Sequence, residues 1–226
     1  MLMTDVEIKA AMETGELLIE NFDPASLQGT SYDARVGDRA IVGGRDKEIN
    51  LADEQSLTIR PGEFLLVVTR EKFKVTRIIA GHLGMKTYYT RKGFVVLAGL
   101  QIDPGFEGHL VIGGYNASPR SLILDYEAPF LTVEFHRLSR PVERLFVSGD
   151  EQRAGQIPRV DKDYLRTLEM LSLHEVTGKL SSLAESAGEL AKSVREMQNQ
   201  LKYFYAPLMM GTLLTVIGFG LAALLK

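Results

Sequence analysis

With 226 residues, the chain has room for one well-filled core with appendages or for two small domains. A formal net charge of −3 excludes the concentrated basic face of a nucleic-acid binder, so no nucleic-acid partner is expected. The lack of cysteine excludes structural disulfides, thiolate catalysis and zinc-dependent nucleobase deaminases, and it fits a reducing compartment.

In chain order, Met1 to Glu13 carries acids among few hydrophobes and has no apolar stretch of the kind a secretory signal needs. A first helix is predicted over Val6 to Leu18, from Val6, Ile8, Ala11, Met12 and Leu17. Thr4 and Glu7 stand in capping-box spacing, and Gly15 marks its end. Strand-sized runs follow at Ile19, Ala34 to Val36, Ala40 to Val42, Ile49-Leu51, Ser56 to Ile59, Phe64 to Thr69 and Gly81 to Met85. They continue at Phe94 to Leu97, His109 to Ile112, Ser121 to Leu124 and Phe130 to Phe135. Many short strands at regular spacing predict an all-β sandwich or barrel. His82, His109, His136 and His174 are scattered without metal-ligand spacing, so no metal site is expected from them.

The stretch Arg91 to Asn116 reads as strand, tight turn, strand. Asp103-Pro104-Gly105 supplies an acid that bonds the backbone ahead, a ring that presets φ and a glycine free to take positive φ. Asp103 either caps this turn or offers its carboxylate to a sugar hydroxyl or a water.

Beyond a β-domain over 1–146, the polar, glycine-containing segment 147–160 reads as a linker. Leu173, Val176, Leu180, Leu183, Ala187, Leu190, Val194, Met197, Leu201 and Phe204 alternate spacings of three and four. This predicts a coiled-coil stalk over 161–204, loosened at Gly178 and Gly188. Ala206 to Leu225 carries no charge and has about the length of a membrane span. A transmembrane anchor over 205–226 is therefore expected, with Tyr203 and Tyr205 at the interface. Lys192, Arg195 and Lys202 upstream place the β-domain in the cytoplasm by the positive-inside rule. Gly211, Thr215, Gly218 and Ala222 form a small-residue stripe that suits a packed anchor better than a pore.

Several blocks occur in a telling order: Gly29-Thr30-Ser31-Tyr32-Asp33-Ala34-Arg35-Val36-Gly37, Arg60-Pro61-Gly62-Glu63, Thr90-Arg91-Lys92-Gly93 and Ile102-Asp103-Pro104-Gly105-Phe106-Glu107-Gly108. Together, from about Val6 to Leu138, they resemble the dCTP deaminase branch of the trimeric dUTPase-like superfamily. The resemblance implies a mainly β fold, a distorted barrel or jelly roll, assembled as a homotrimer with nucleotide sites shared between subunits.

The resemblance also directs attention to departures. In the family, a carboxylate on the strand after the Asp turn activates water. Here that place falls at Gly113, which can neither accept nor relay a proton. Glu107 and Glu134 are the nearest carboxylates in sequence. The family's Gly-Arg-Ser-Ser becomes Met85-Lys86-Thr87-Tyr88: Lys86 keeps a charge without the bidentate fork, Thr87 keeps a hydroxyl, and Tyr88 adds a bulky ring. Arg91, Asp33 and Asp103 match, while Leu131-Thr132 replaces the Gly-Gln near the base. The expected nucleotide-binding set is Lys86, Thr87, Arg91, Asp103 and Asp33, with Asp103 the catalytic candidate if the chain is a hydrolase. Mg²⁺ would accompany a bound nucleoside triphosphate.

The favoured expectation is a membrane-anchored, catalytically impaired nucleotide sensor or membrane effector. The alternatives are a membrane-tethered dUTPase or dCTP deaminase, and a scaffold that clusters membrane helices without a ligand.

Overall fold

The computed structural model describes residues 1–43, 47–167 and 173–224. They fall into two compact units, Met1–His174 and Glu175–Lys226. In the first, α1 (Asp5–Glu13) begins with a capping box. The Thr4 hydroxyl accepts from the Glu7 amide, and the Glu7 carboxylate accepts from the Thr4 amide at 2.8 Å. Ile8 and Ala11 face the core. Gly15, at φ +73°, ends the helix earlier than its apolar pattern predicts, and Leu17 passes into β1 (Leu17–Glu20).

The chain continues through β2 (Tyr32–Val42), β3 (Ile49–Asn50), α2 (Leu51–Glu54), β4 (Ser56–Ile59) and β5 (Phe64–Val75). Next come β6 (Ile79–Met85), α3 (Thr87–Thr90), β7 (Phe94–Val96), β8 (Gln101–Ile102) and β9 (Glu107–Asn116). The unit then runs through β10 (Leu122–Asp125), β11 (Pro129–Arg137), α4 (Asp150–Arg153) and α5 (Arg159–Thr167). Nine strands form one sheet in the order β7-β9-β5-β2-β11-β6-β8, with β1 also on β5 and β3 also on β2; β10 and β4 make a separate pair. Every pairing is antiparallel.

Two predicted runs, Ala34 to Val36 and Ala40 to Val42, are the halves of β2. The first half pairs with β11 and the second with β5, and the register slips between Val36 and Ala40. At this slip a Cβ on Gly37 would lie 2.6 Å from the Val68 carbonyl oxygen, so the close crossing requires glycine. A matching slip in β5, between Val68 and Lys72, bends the sheet again. The curled sheet wraps a core that includes Tyr32, Phe73, Phe130 and Phe135. The fully buried Glu71 accepts from the Arg35 amide at 2.8 Å, the Arg35 Nε at 2.7 Å and the Tyr32 hydroxyl at 3.2 Å.

After β11 the chain stays on the sheet. Phe146 stacks on Phe106, and the Ser148 hydroxyl accepts from the Glu107 amide at 2.9 Å. Ile157 and Leu165 close a second cluster with Ile41 and Val68.

Three expectations are corrected. The fold is mixed α/β, a curled half-barrel with helices, rather than mainly β. α6 (Leu173–Leu224) alone has 52 residues, and helical residues outnumber strand residues. Periodicity located most of the strands and the helical tail, but treating that tail as an appendage left the fold described as mainly β.

No coiled coil is found among the described residues. α6 is a single helix whose Leu180, Leu183, Leu190, Val194, Met197 and Leu201 are exposed. A three-four spacing fixes a stripe on one helix; it does not supply the second helix that knobs-into-holes packing requires.

Among the described residues, no helix is long and apolar enough to cross a membrane. The run expected as an anchor over 206–225 is the C-terminal end of α6 and not a helix of its own. α6 runs unbroken through Pro207, Gly211 and Thr215, and residue 225 lies outside the described residues. The membrane partner, the anchored or tethered forms of the function and the cytoplasmic placement derived from flanking charge all rested on that anchor and are withdrawn with it.

Candidate functional site

The expected site residues occupy three places. The first joins three adjacent strands. Asp33 on β2 stands opposite Thr132 on β11, and Thr132 stands opposite Gly84 on β6, one residue from the strand's end. Lys86 follows directly, at the start of α3. Its ammonium donates to Asp33 Oδ2 at 2.6 Å, and the Thr132 hydroxyl donates to Asp33 Oδ1 at 3.2 Å. Both oxygens of a buried carboxylate are thus partnered, and Lys86 is committed inside the fold. Thr132, first read as a lost base contact, holds Asp33.

The second place is a cleft of about 850 Å³ beside α3, lined by Tyr88, Tyr89, Arg91, Lys92, Arg120 and Asp125, among others. One helical turn separates its residues from Lys86. Thr87 is exposed on that turn, and Arg91 closes it, its amide donating to the Thr87 carbonyl at 3.0 Å. The Lys92 ammonium lies 3.7 Å from the Tyr88 ring centroid and also contacts the phenol oxygen. Burial, reinforced by Asp125 and Tyr88, pushes the Tyr89 phenol up to about 12, so it remains a hydrogen-bond donor at neutral pH.

The other wall is the turn after β9, pinned by the buried Asn116. Its amide nitrogen donates to the Ile59 carbonyl at 2.9 Å and the Arg120 carbonyl at 2.8 Å. Its side-chain oxygen accepts from the Ser118 amide at 3.0 Å. Sequence reasoning missed Lys92, Asn116 and Arg120. The polar run Asn116-Ala117-Ser118-Pro119 was the available signal, since such composition builds self-bonded turns.

The third place holds Asp103, exposed on the turn between β8 and β9. Its backbone carbonyl accepts from the Phe106 amide at 3.0 Å. Gly105 has φ +92°, and a Cβ there would lie 2.8 Å from the Phe146 carbonyl oxygen, so this turn also requires glycine. Asp103 lines a separate cleft of about 760 Å³ with Gln101, Pro104, Arg144 and Phe146. Within one chain, the structure brings Lys86 and Asp33 together but joins neither Arg91 nor Asp103 to them.

Gly113 is buried on β9, where Leu97 crosses it. The Leu97 amide donates to the Gly113 carbonyl at 2.8 Å, and a Cβ on Gly113 would lie 2.5 Å from the Leu97 carbonyl oxygen. The neighbouring Gly114 is covered by the Phe94 ring, 2.1 Å from where its Cβ would stand. The pair of glycines is what allows β7 and Leu97 to lie on β9.

Within one chain, neither Glu107 nor Glu134 stands beside Gly113. Glu107 stands opposite Lys74 at the far end of β9, where the Lys74 ammonium at 3.0 Å holds its carboxyl below the usual range. Glu134 lies on β11, opposite His82, with β2 and β5 between β11 and β9. Among the described residues, no group of three or more His, Asp or Glu could hold a metal ion. The described residues of one chain therefore do not assemble a Mg²⁺ site of their own.

A family model described as dCTP deaminase-like matches residues 2–138. The chain is 35% identical over 157 residues to a dCTP deaminase of Pyrococcus abyssi, covering 70% of this chain and 96% of that one. It is 37% identical over 126 residues to a dCTP deaminase of Thermococcus sibiricus, covering 56% and 79%. A dUMP-forming dCTP deaminase of Persephonella marina is 27% identical over 180 residues, covering 72% and 100%. Among solved structures, the 2'-deoxycytidine 5'-triphosphate deaminase of Agrobacterium tumefaciens superposes with a TM-score of 0.50 at 18% identity. That match covers 60% of this chain and 48% of that one, and it bears on the fold alone.

Proposed function

The chain belongs to the dCTP deaminase-like family, and on that premise we propose that it binds a deoxynucleoside phosphate at the Arg91 cleft without deaminating it. The observation that carries this reading is the contact at Gly113. General base catalysis needs a basic side chain within hydrogen-bond reach of the attacking water, and in this family that base is a carboxylate at the Gly113 place. This position has no side chain, and the Leu97 carbonyl oxygen fills the space where one would begin. The departure is therefore built into the packing of β7 on β9.

Binding is supported by what remains. Arg91 supplies a guanidinium fork suited to phosphate oxygens, Lys92 adds a second cation, and Thr87 offers a hydroxyl on the same turn. Asp33 and Lys86 serve this site from behind, by holding the strand end from which α3 starts. Asp103 belongs to a separate cleft and contributes to the same ligand only across a subunit boundary; family membership supports trimeric assembly as part of this reading.

The test uses the full chain with dCTP, following binding by calorimetry and deamination by ammonium release. Binding without ammonium is expected, and Gly113→Glu is expected to gain no turnover because its side chain has no room. Ammonium release by the unaltered protein would overturn the non-deaminating part. Absence of calorimetric binding to dCTP, dUTP and their monophosphates would overturn the nucleotide-binding part.

A further inference from the structure

Two turns meet at the floor of the Arg91 cleft. Gly93, at φ +88°, packs so closely on Ser118 that a Cβ would lie 2.8 Å from the serine Cβ, and the Gly93 carbonyl accepts from the Ala117 amide at 2.9 Å. Arg91 stands two residues before this contact and Arg120 two residues after it, and both line the cleft. Arg120 is held there by its own backbone. Its carbonyl accepts from both the Asn116 amide nitrogen and the Ser118 hydroxyl, at 2.8 and 2.7 Å. Neither Arg91 nor Arg120 forms an ion pair among the described residues, and Asp125 is the one acid lining the cleft.

We propose that Arg120 is a phosphate-binding residue of this cleft, and that Arg91 and Arg120 together select ligands with at least two linked phosphates. Each guanidinium offers a planar fork that matches one phosphate group, so two forks on fixed turns match a diphosphate or triphosphate better than a single phosphate. The turns are fixed before the ligand arrives, which lowers the ordering cost of binding. Lys92, held over Tyr88, adds charge without directional demand. The ligand class is thus a nucleoside di- or triphosphate, with inorganic pyrophosphate as its minimal mimic. This inference rests on the nucleotide-binding reading of the Arg91 cleft.

The experiment measures binding of dCTP, dCMP, pyrophosphate, orthophosphate and deoxycytidine to the full chain and to Arg120→Ala, Arg120→Lys and Arg91→Ala. The unaltered protein is expected to bind dCTP and pyrophosphate more tightly than dCMP and orthophosphate. Arg120→Ala is expected to weaken dCTP and pyrophosphate by roughly ten- to a hundredfold, the range of a charge-assisted hydrogen bond. Deoxycytidine binding should not change, and Arg120→Lys should recover part of the loss.

If Arg120→Ala binds dCTP and pyrophosphate like the unaltered protein while Arg91→Ala does not, this inference fails and the nucleotide-binding reading stands. Equal weakening of deoxycytidine and dCTP by Arg120→Ala would also overturn it, because the residue would then only shape the cleft. Failure of the unaltered protein to bind any of the five compounds overturns both.

Discussion

The Lys86 ammonium lies 2.6 Å from the Asp33 carboxylate, so the cation at the family's phosphate-arginine position is engaged inside the protein. The two residues stand 53 positions apart and meet because β2, β11 and β6 lie side by side. The side chain of Asp33 is 8% exposed and that of Lys86 33%, so the pair is half-sheltered rather than sealed.

Lys86→Ala would leave Asp33 with only the Thr132 hydroxyl. Removing one partner of a sealed ion pair costs about 3–5 kcal/mol. Solvent access to Lys86 lowers the expected cost to about 1–3 kcal/mol. A urea double-mutant cycle with Asp33→Ala checks this, and a coupling indistinguishable from zero would show the pair to be incidental.

The glycine at position 113 was legible without coordinates. The resemblance to the dCTP deaminase-like family puts that family's acid at Gly113, and a glycine has no side chain with which to transfer a proton. Thr4 and Glu7 likewise announced their cap, because capping is local chemistry. What the sequence hid is non-local. Nothing in Met85-Lys86-Thr87 says that the lysine turns toward a strand 53 residues earlier, nor that Leu97 lies across Gly113. The tail misled for a related reason. Heptad spacing and an apolar run describe one helix, whereas a coiled coil and a membrane span are statements about what surrounds it.

Glu71 accepts three hydrogen bonds with none of its surface exposed, and the Arg35 side chain beside it is 16% exposed. Glu71→Gln removes the charge while keeping the shape, and it leaves the guanidinium facing a neutral amide. The expected loss is about 3–5 kcal/mol. Chemical denaturation measures it directly, and a loss below about 1 kcal/mol would mean that the Tyr32 and backbone contacts hold the cluster without the charge.

Burial pushes the phenols of Tyr32 and Tyr89 up to about 12, against an ordinary value of 10. The folded state therefore holds these protons more tightly than the unfolded chain does. Their contribution to stability is fully present below pH 10 and is lost as pH rises from 10 through about 12. Ultraviolet titration of tyrosinate should show Tyr32 and Tyr89 ionising late, with stability falling across the same window. Replacing either by Phe should remove one late step.

Asn116 ties the Arg120 turn to β4, so its removal should act on stability and binding together. Asn116→Ala deletes the donors to the Ile59 and Arg120 carbonyls and the acceptor of the Ser118 amide, all at a fully buried position. A buried polar group left without a partner costs about 1–3 kcal/mol, so a total near 3 kcal/mol is expected. The turn would also lose its fixed shape while Arg120 keeps its charge. Pyrophosphate affinity should therefore fall by about tenfold, with the salt dependence of binding little changed, because the number of cations is the same. Arg120→Ala should instead flatten the salt dependence. Calorimetry of both variants over a series of salt concentrations separates loss of pre-organisation from loss of charge. Unchanged pyrophosphate affinity in a folded Asn116→Ala protein would show that the turn does not have to be held in advance.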